Sequence, residues 1–178
     1  MLAGHLGVAL AATRAEPRLP LAAAVAAAFW LDLVWPLLLL AGLETVRIDP
    51  ANTAFTHLAF DSYPWTHSLA AVAGWSIVAY GAWLVRAQPR RVAAIIAALV
   101  LSHWFLDFVT HRPDLPLWPG GPLVGLQLWD SIPGTIVVEG SLFVAGIAGY
   151  TGRTQPRTKI GSWALVALIG LIGALWIS

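Results

Sequence analysis

The chain has 178 residues, 58% of them hydrophobic and 11% charged, with a net charge of +1 and no cysteine. A mean hydropathy of +0.75 lies far outside the usage of soluble domains and reads as an integral membrane protein. The charge balance excludes a nucleic-acid surface, since no basic stripe exists to neutralise phosphates, and the lack of cysteine excludes disulfides and thiolate metal ligands.

The apolar segments lack the alternation of outer-membrane barrel strands. The expected fold is therefore all-α: a polytopic membrane helical bundle of five to six transmembrane helices forming a single domain, 1–178, without internal repeats. Helices are predicted over 2–13, 19–42, 67–87, 91–111, 133–150 and 160–177. The first carries His5; at ~1.5 Å per residue it covers roughly 18 Å of a hydrocarbon core of about 30 Å, so it is expected to be a partial or tilted span. No basic secretory leader precedes it, so His5 is expected in the mature protein.

The second segment carries Asp32 in "FWLDLVWP", and the third opens on His67 in "YPWTHSL". The fourth contains "SHWFLDFVTH", where His103, Asp107 and His111 recur every four residues and so share one helix face. The fifth holds Glu139 in "GTIVVEG". Two long loops, 43–66 and 112–132, join these segments on one side, and the second, rich in Pro and Trp, reads equally as a lid or as a rigid interfacial cover.

Basic residues orient the chain. Arg14, Arg18, Arg86, Arg90, Arg91, Arg153, Arg157 and Lys159 fall on one side, against Arg47 and Arg112 on the other. By the positive-inside rule both termini and both long loops face away from the cytoplasm. Trp65, Trp118 and Trp129 then sit near the outer surface and Trp83 and Trp163 near the inner one, as belt residues do.

With that orientation His5, Asp32, His67, His103, Asp107, His111 and Glu139 all fall in the outer half. A carboxylate at the middle of a lone helix costs about 2.5 to 3.5 kcal/mol, and less near the rim, so three of them require compensation. Histidines mixed with carboxylates suit zinc, or manganese or iron, and one or two divalent cations would offset the charges together. Taken singly, His5, His67 and His111 also read as interfacial polar residues, His103 with Asp107 as an intrahelical hydrogen bond, and Asp32 as a partner for a helix terminus.

"AGHLGVALA", an Asp in the second apolar segment, "WTHSL" and "SHWFLDFVTHRPDLPLWPG" together resemble the bacterial inner-membrane metal-dependent hydrolases called YdjM-like, also labelled LexA-binding. The matching motifs span roughly the first 120 residues, and one departure is "LDLVWP", where members often show a Pro-Asp step. That family is similar to the zinc-dependent phospholipases C and the single-strand-specific zinc nucleases. The resemblance implies His5 as a ligand of one metal, His67 and His103 as ligands of another, and Asp107 as a carboxylate bridging them. It implies Asp32 as a general base or further ligand. For a third metal it offers His111 and Glu139, but Thr135 stands where that site's second His falls, so one or two ions are implied.

The resulting expectation is a membrane-embedded, metal-dependent phosphoesterase. Asp32 would orient or deprotonate water, and Arg112 at the rim would hold a phosphate oxygen with its planar fork, although an ordinary juxtamembrane Arg is an equal reading. The position of the site favours a lipid headgroup or lipid-linked phosphate as substrate, reached from membrane lipids. A metal or proton transporter is the main rival. Against it, the fourth helix below His103 is "VAAIIAALVL", which offers no polar track to the other side. A non-catalytic membrane scaffold is the third reading: as a platform for a protein partner it is weakened by short cytoplasmic loops, and a pseudo-enzyme with a structural metal stays open.

Overall fold

A computed structural model describes residues 1–86, 89–155 and 158–177. Residue 87, at the end of the third predicted helix, and Arg157 lie outside the described residues. Eight helices are described: α1 (Leu2–Ala15), α2 (Leu21–Ala28), α3 (Trp30–Leu40), α4 (Pro64–His67), α5 (Leu69–Leu84), α6 (Arg90–Thr110), α7 (Ile132–Thr151) and α8 (Lys159–Ile177). Among them α6, α7 and α8 are long and apolar enough to cross a membrane, and α2 with α3, bent by 52°, makes a fourth if taken as one broken span. The helices α1 and α5 have 14 and 16 residues.

The helix ends follow local chemistry. Ser68 caps α5 by accepting from the Ala71 amide at 3.2 Å, and Ser131 caps α7 by accepting from Gly134 at 3.1 Å. At the far end of α6, His111 already has an extended ψ of 147°, two residues before Pro113, whose ring disfavours helix in the residue that precedes it.

The predicted helix over 19–42 is two helices. Its break lies at Phe29, which leaves helical geometry at φ −100°, ψ 11°, and not at Pro36, which sits inside α3. Pro36 has no amide to give the Asp32 carbonyl four residues earlier, so the α3 ladder is loosened beside Asp32 without being ended there.

The short first helix is the centre of the bundle. It packs against α7, α2, α6 and α8, and it is buried at Ala3, His5, Leu6, Ala9 and Leu10. The α1–α7 crossing is close because both sides are glycine: a Cβ on Gly7 would strike the Leu142 carbonyl, and one on Gly146 the Gly7 carbonyl. On the other flank α5 pairs with α6, where the Ser76 hydroxyl donates to the Ala97 carbonyl at 2.7 Å.

The two long loops contain small hairpins that the helical pattern does not announce. In the first, β1 (Thr45–Ile48) pairs antiparallel with β2 (Leu58–Ser62). In the second, β3 (Leu115–Pro116) pairs with β4 (Leu123–Val124). The second loop is bonded down: the Ala70 amide donates to Leu117, Leu126 to Phe108, and Gln127 to His111. Gly125 permits this strap, since a Cβ there would collide with the carbonyls of His111 and Arg112.

Candidate metal centre

Five of the seven candidate ligands come together between α1, α3, α4 and α6. Two groups with mutually close ligand atoms share His103: His5 with His103 and Asp107, and Asp32 with His67 and His103. The Asp107 carboxylate faces both. Its Oδ1 is 3.1 Å from His5 Nε2, while its Oδ2 is 3.0 Å from His103 Nε2 and 3.8 Å from His67 Nε2. Asp32 Oδ1 lies 3.6 Å from the Nε2 atoms of both His67 and His103.

Each element brings its ligand for a local reason. The bend at Phe29 leaves the Ala28 carbonyl outside a helical ladder, and His103 Nδ1 takes it at 2.7 Å. A carbonyl only accepts, so Nδ1 carries the proton and Nε2 turns its lone pair to the carboxylates. That Nε2 is buried and makes no hydrogen bond among the described residues, although Asp107 Oδ2 is 3.0 Å away. In the neutral ring two acceptors therefore face each other.

His67 is fixed in the same sense by a longer chain. Glu44 accepts from the Trp65 and Thr66 amides at 2.8 and 2.9 Å, capping α4, and from the Thr66 hydroxyl at 2.8 Å. That hydroxyl has one proton, and it goes to Glu44. The 2.7 Å contact between Thr66 Oγ1 and His67 Nδ1 must then be donated by His67, which leaves its Nε2 lone pair aimed at Asp32 and Asp107.

His5 stacks on His103 with ring centroids 3.7 Å apart, and its buried Nδ1 has no partner among the described residues. The Met1 nitrogen donates to Asp107 Oδ1 at 2.7 Å. Two carboxylates and two inward-facing imidazole lone pairs still converge. A divalent cation fits this donor set, because it turns each acceptor–acceptor approach into a pair of bonds and matches the nitrogen and oxygen ligands zinc takes. Asp32 is the open side, with a side chain 40% exposed against 5% or less for His5, His67, His103 and Asp107.

The other predicted site residues lie outside these two groups. His111, the third member of the α6 stripe, is where the helix ends, so the i, i+4 rule no longer aims its ring. It meets Asp114 Oδ1 at 3.0 Å and the Tyr63 hydroxyl at 3.2 Å, and its ring lies 4.5 Å from that of Trp129. Tyr63 donates to the same Asp114 oxygen at 3.0 Å, and burial, with Asp114 beside it, pushes its phenol well above the usual range. Arg112 approaches Asp114 Oδ2 at 3.4 Å and is part-exposed at the rim.

Glu139, fully buried on α7, accepts from the Ala3 amide in the first turn of α1 and from the Trp129 indole, both at 3.2 Å. It thereby anchors the helix end from which His5 projects. Trp129 is correspondingly a buried partner of Glu139 and not a surface belt residue.

Glu44, Thr66, Tyr63, Asp114 and the Ala28 carbonyl are the functional groups that sequence reasoning missed. Glu44 had a signal, as a lone acid directly after an apolar run in "LLLLAGLETV"; Thr66 had one as the hydroxyl preceding a histidine in "PWTHS". A partner for the Ala28 carbonyl has none, because a backbone acceptor freed by a bend carries no residue-type signature. Comparison of the chain with protein-family models, with curated proteins and with solved structures returns no match.

Proposed function

We propose that this protein is a membrane-embedded, metal-dependent hydrolase of phosphate esters, with a lipid headgroup or lipid-linked phosphate as substrate. The observation that carries the reading is the convergence of the His67 and His103 Nε2 lone pairs on Asp32 and Asp107, in an apolar bundle with only Asp32 open to the outside. His5, His67, His103 and Asp107 would hold one or two divalent ions, zinc foremost and manganese or iron as alternatives, with Asp107 shared between them. When bound, such an ion lowers the pKa of water toward neutrality and offsets charge on a phosphoryl oxygen.

The chain's own residues would do the rest. Asp32, the exposed carboxylate, orients and deprotonates the attacking water. Glu44 through Thr66, and the Ala28 carbonyl, keep both imidazoles in the tautomer that presents Nε2. Arg112, steadied by Asp114, offers its remaining guanidinium nitrogens to a phosphate oxygen at the rim. The resemblance to the YdjM-like hydrolases supports the same reading.

The setting that goes with it is a bacterial inner membrane crossed five to six times, with α5, and α1 as a tilted or partial span, counted beside the longer helices. Both termini and the site lie on the extracytoplasmic side, by the distribution of Lys and Arg. The metal content of detergent-purified protein, measured by mass spectrometry for the wild type and for His103→Ala with Asp107→Asn, tests the proposal. One or two zinc, manganese or iron per chain, lost in the double variant, supports it and justifies assay on a panel of phosphate lipids. No metal in either protein after loading removes it.

A further inference from the structure

A groove of about 990 Å³ runs between α2, the start of α3 at Leu33, the C-terminal end of α7 and α8. Its walls are apolar, with Val25 and Ala26 on one side and Leu165 and Leu168 on the other. At Leu21, Tyr150 and Thr154 it continues into a recess of about 260 Å³ that Arg14 and Arg153 line together. Neither guanidinium has an ion pair or hydrogen bond among the described residues. The carboxylate nearest in sequence, Glu16, is already held by Arg18 at 2.8 Å and by Arg91 at 3.3 Å. The Tyr150 and Thr154 hydroxyls at the junction are likewise without side-chain partners among the described residues.

We infer that this recess and groove form a binding site for an anionic phospholipid, with the headgroup phosphate between Arg14 and Arg153 and an acyl chain along α8. Two uncompensated like charges that line one recess are stabilised by an anion between them. A free phosphate would satisfy the arginines but leave the apolar groove without purpose; a phospholipid matches both. The scale also fits: from Gly161 to Leu168 the groove follows α8 for roughly 10 Å at ~1.5 Å per residue, most of one leaflet's share of a hydrocarbon core of about 30 Å. The site is at the basic end of the helices, where an anionic leaflet attracts Lys and Arg. Its lining includes Leu33, next to Asp32 in the chain, but none of the histidines or carboxylates of the cluster.

Native mass spectrometry of the delipidated, detergent-purified full chain tests this, with phosphatidylglycerol and phosphatidylcholine of the same acyl chains as probes. Phosphatidylglycerol is expected to bind on the order of tenfold more tightly, with the preference shrinking as salt rises. Arg14→Ala with Arg153→Ala should abolish the preference and leave metal content unchanged. Ala164→Trp, which fills the groove and keeps both arginines, should weaken both lipids. Arg90→Ala, a basic residue at the same end that does not line the recess, should change neither. Equal binding of the two lipids, an unaltered preference in the arginine variant, or an equal loss in Arg90→Ala would overturn the proposal. Displacement of the lipid by inorganic phosphate alone would reduce the recess to a phosphate site and overturn it as well.

Discussion

The Nδ1 of His103 donates to the Ala28 carbonyl at 2.7 Å, so the bend that separates α2 from α3 also sets the tautomer of a histidine on α6. The same bend carries Asp32, three residues on from Phe29, to within 3.6 Å of the Nε2 it exposes. One local departure from helix thus prepares both the histidine and the carboxylate.

The two carboxylates are predicted to divide their roles. Asp107 faces three histidines and is nearly sealed, whereas Asp32 faces two and is part-exposed. Asp107→Asn should remove most bound metal. Asp32→Asn should spare much of it while abolishing hydrolysis of phosphate lipids. Metal analysis beside a turnover assay on the same preparations checks this. If both variants keep metal and activity, the assignment of the site is wrong.

The Glu44–Thr66–His67 chain predicts a loss that conservative replacement rescues. Thr66→Val keeps the shape but leaves His67 Nδ1 and Glu44 Oε2 without their common partner. Metal affinity should fall by about 10- to 100-fold, the usual effect of removing a hydrogen bond behind a ligating imidazole. Thr66→Ser, which restores the hydroxyl, should recover most of it. Competition with a zinc-sensitive chelator reads both. Equal affinities for Val and Ser would mean that the hydroxyl does not orient the ring.

Much of this centre is legible in the sequence because charge in an apolar helix is conspicuous. His103 and Asp107 were readable from their spacing, and His5, Asp32 and His67 from depth along their segments. The limits were those of helix periodicity. His111 continues the stripe in sequence, but it falls where α6 ends before Pro113, and its ring goes to Asp114 instead. The second segment reads as one helix over 19–42, whereas it breaks at Phe29, and the freed Ala28 carbonyl is taken by a residue seventy-five positions away. Glu139 was visible as a costly buried acid, yet its partners, an amide of α1 and the Trp129 indole, are tertiary. The hairpins in the long loops were hidden by their shortness.

At the opposite end, Glu16 predicts an acid dependence. Hydrogen bonds from Arg18, with Arg91 adding a weaker attraction, bring its carboxyl down from 4.5 to about 2. The unfolded chain takes up this proton first, so the stabilisation is fully present above about 4.5 and is lost as the pH falls toward 2. Thermal unfolding of the wild type and Glu16→Gln in detergent should therefore differ at pH 7 and converge by the bottom of that range. A difference that persists unchanged into acid would mean that Glu16 acts through packing and not through its charge.

The α1–α7 crossing predicts a link between packing and the metal centre. Gly146 touches the backbone of α1 at Gly7, two residues after His5, and has no room for a methyl group. Gly146→Ala must push the two helices apart, at a cost of about 1 to 3 kcal/mol for an overpacked contact. The displacement reaches His5, while His67 and His103 are carried by α4 and α6 and held from behind by Thr66 and Ala28. The variant should therefore melt earlier and lose metal from the His5 side first, giving a lower metal count per chain before a total loss. Gly140→Ala, on the same helix, serves as control, since a Cβ there meets only the edge of Trp176 at 3.4 Å. Equal destabilisation of both variants would mean that the close approach of α1 and α7 does not hold His5 in place.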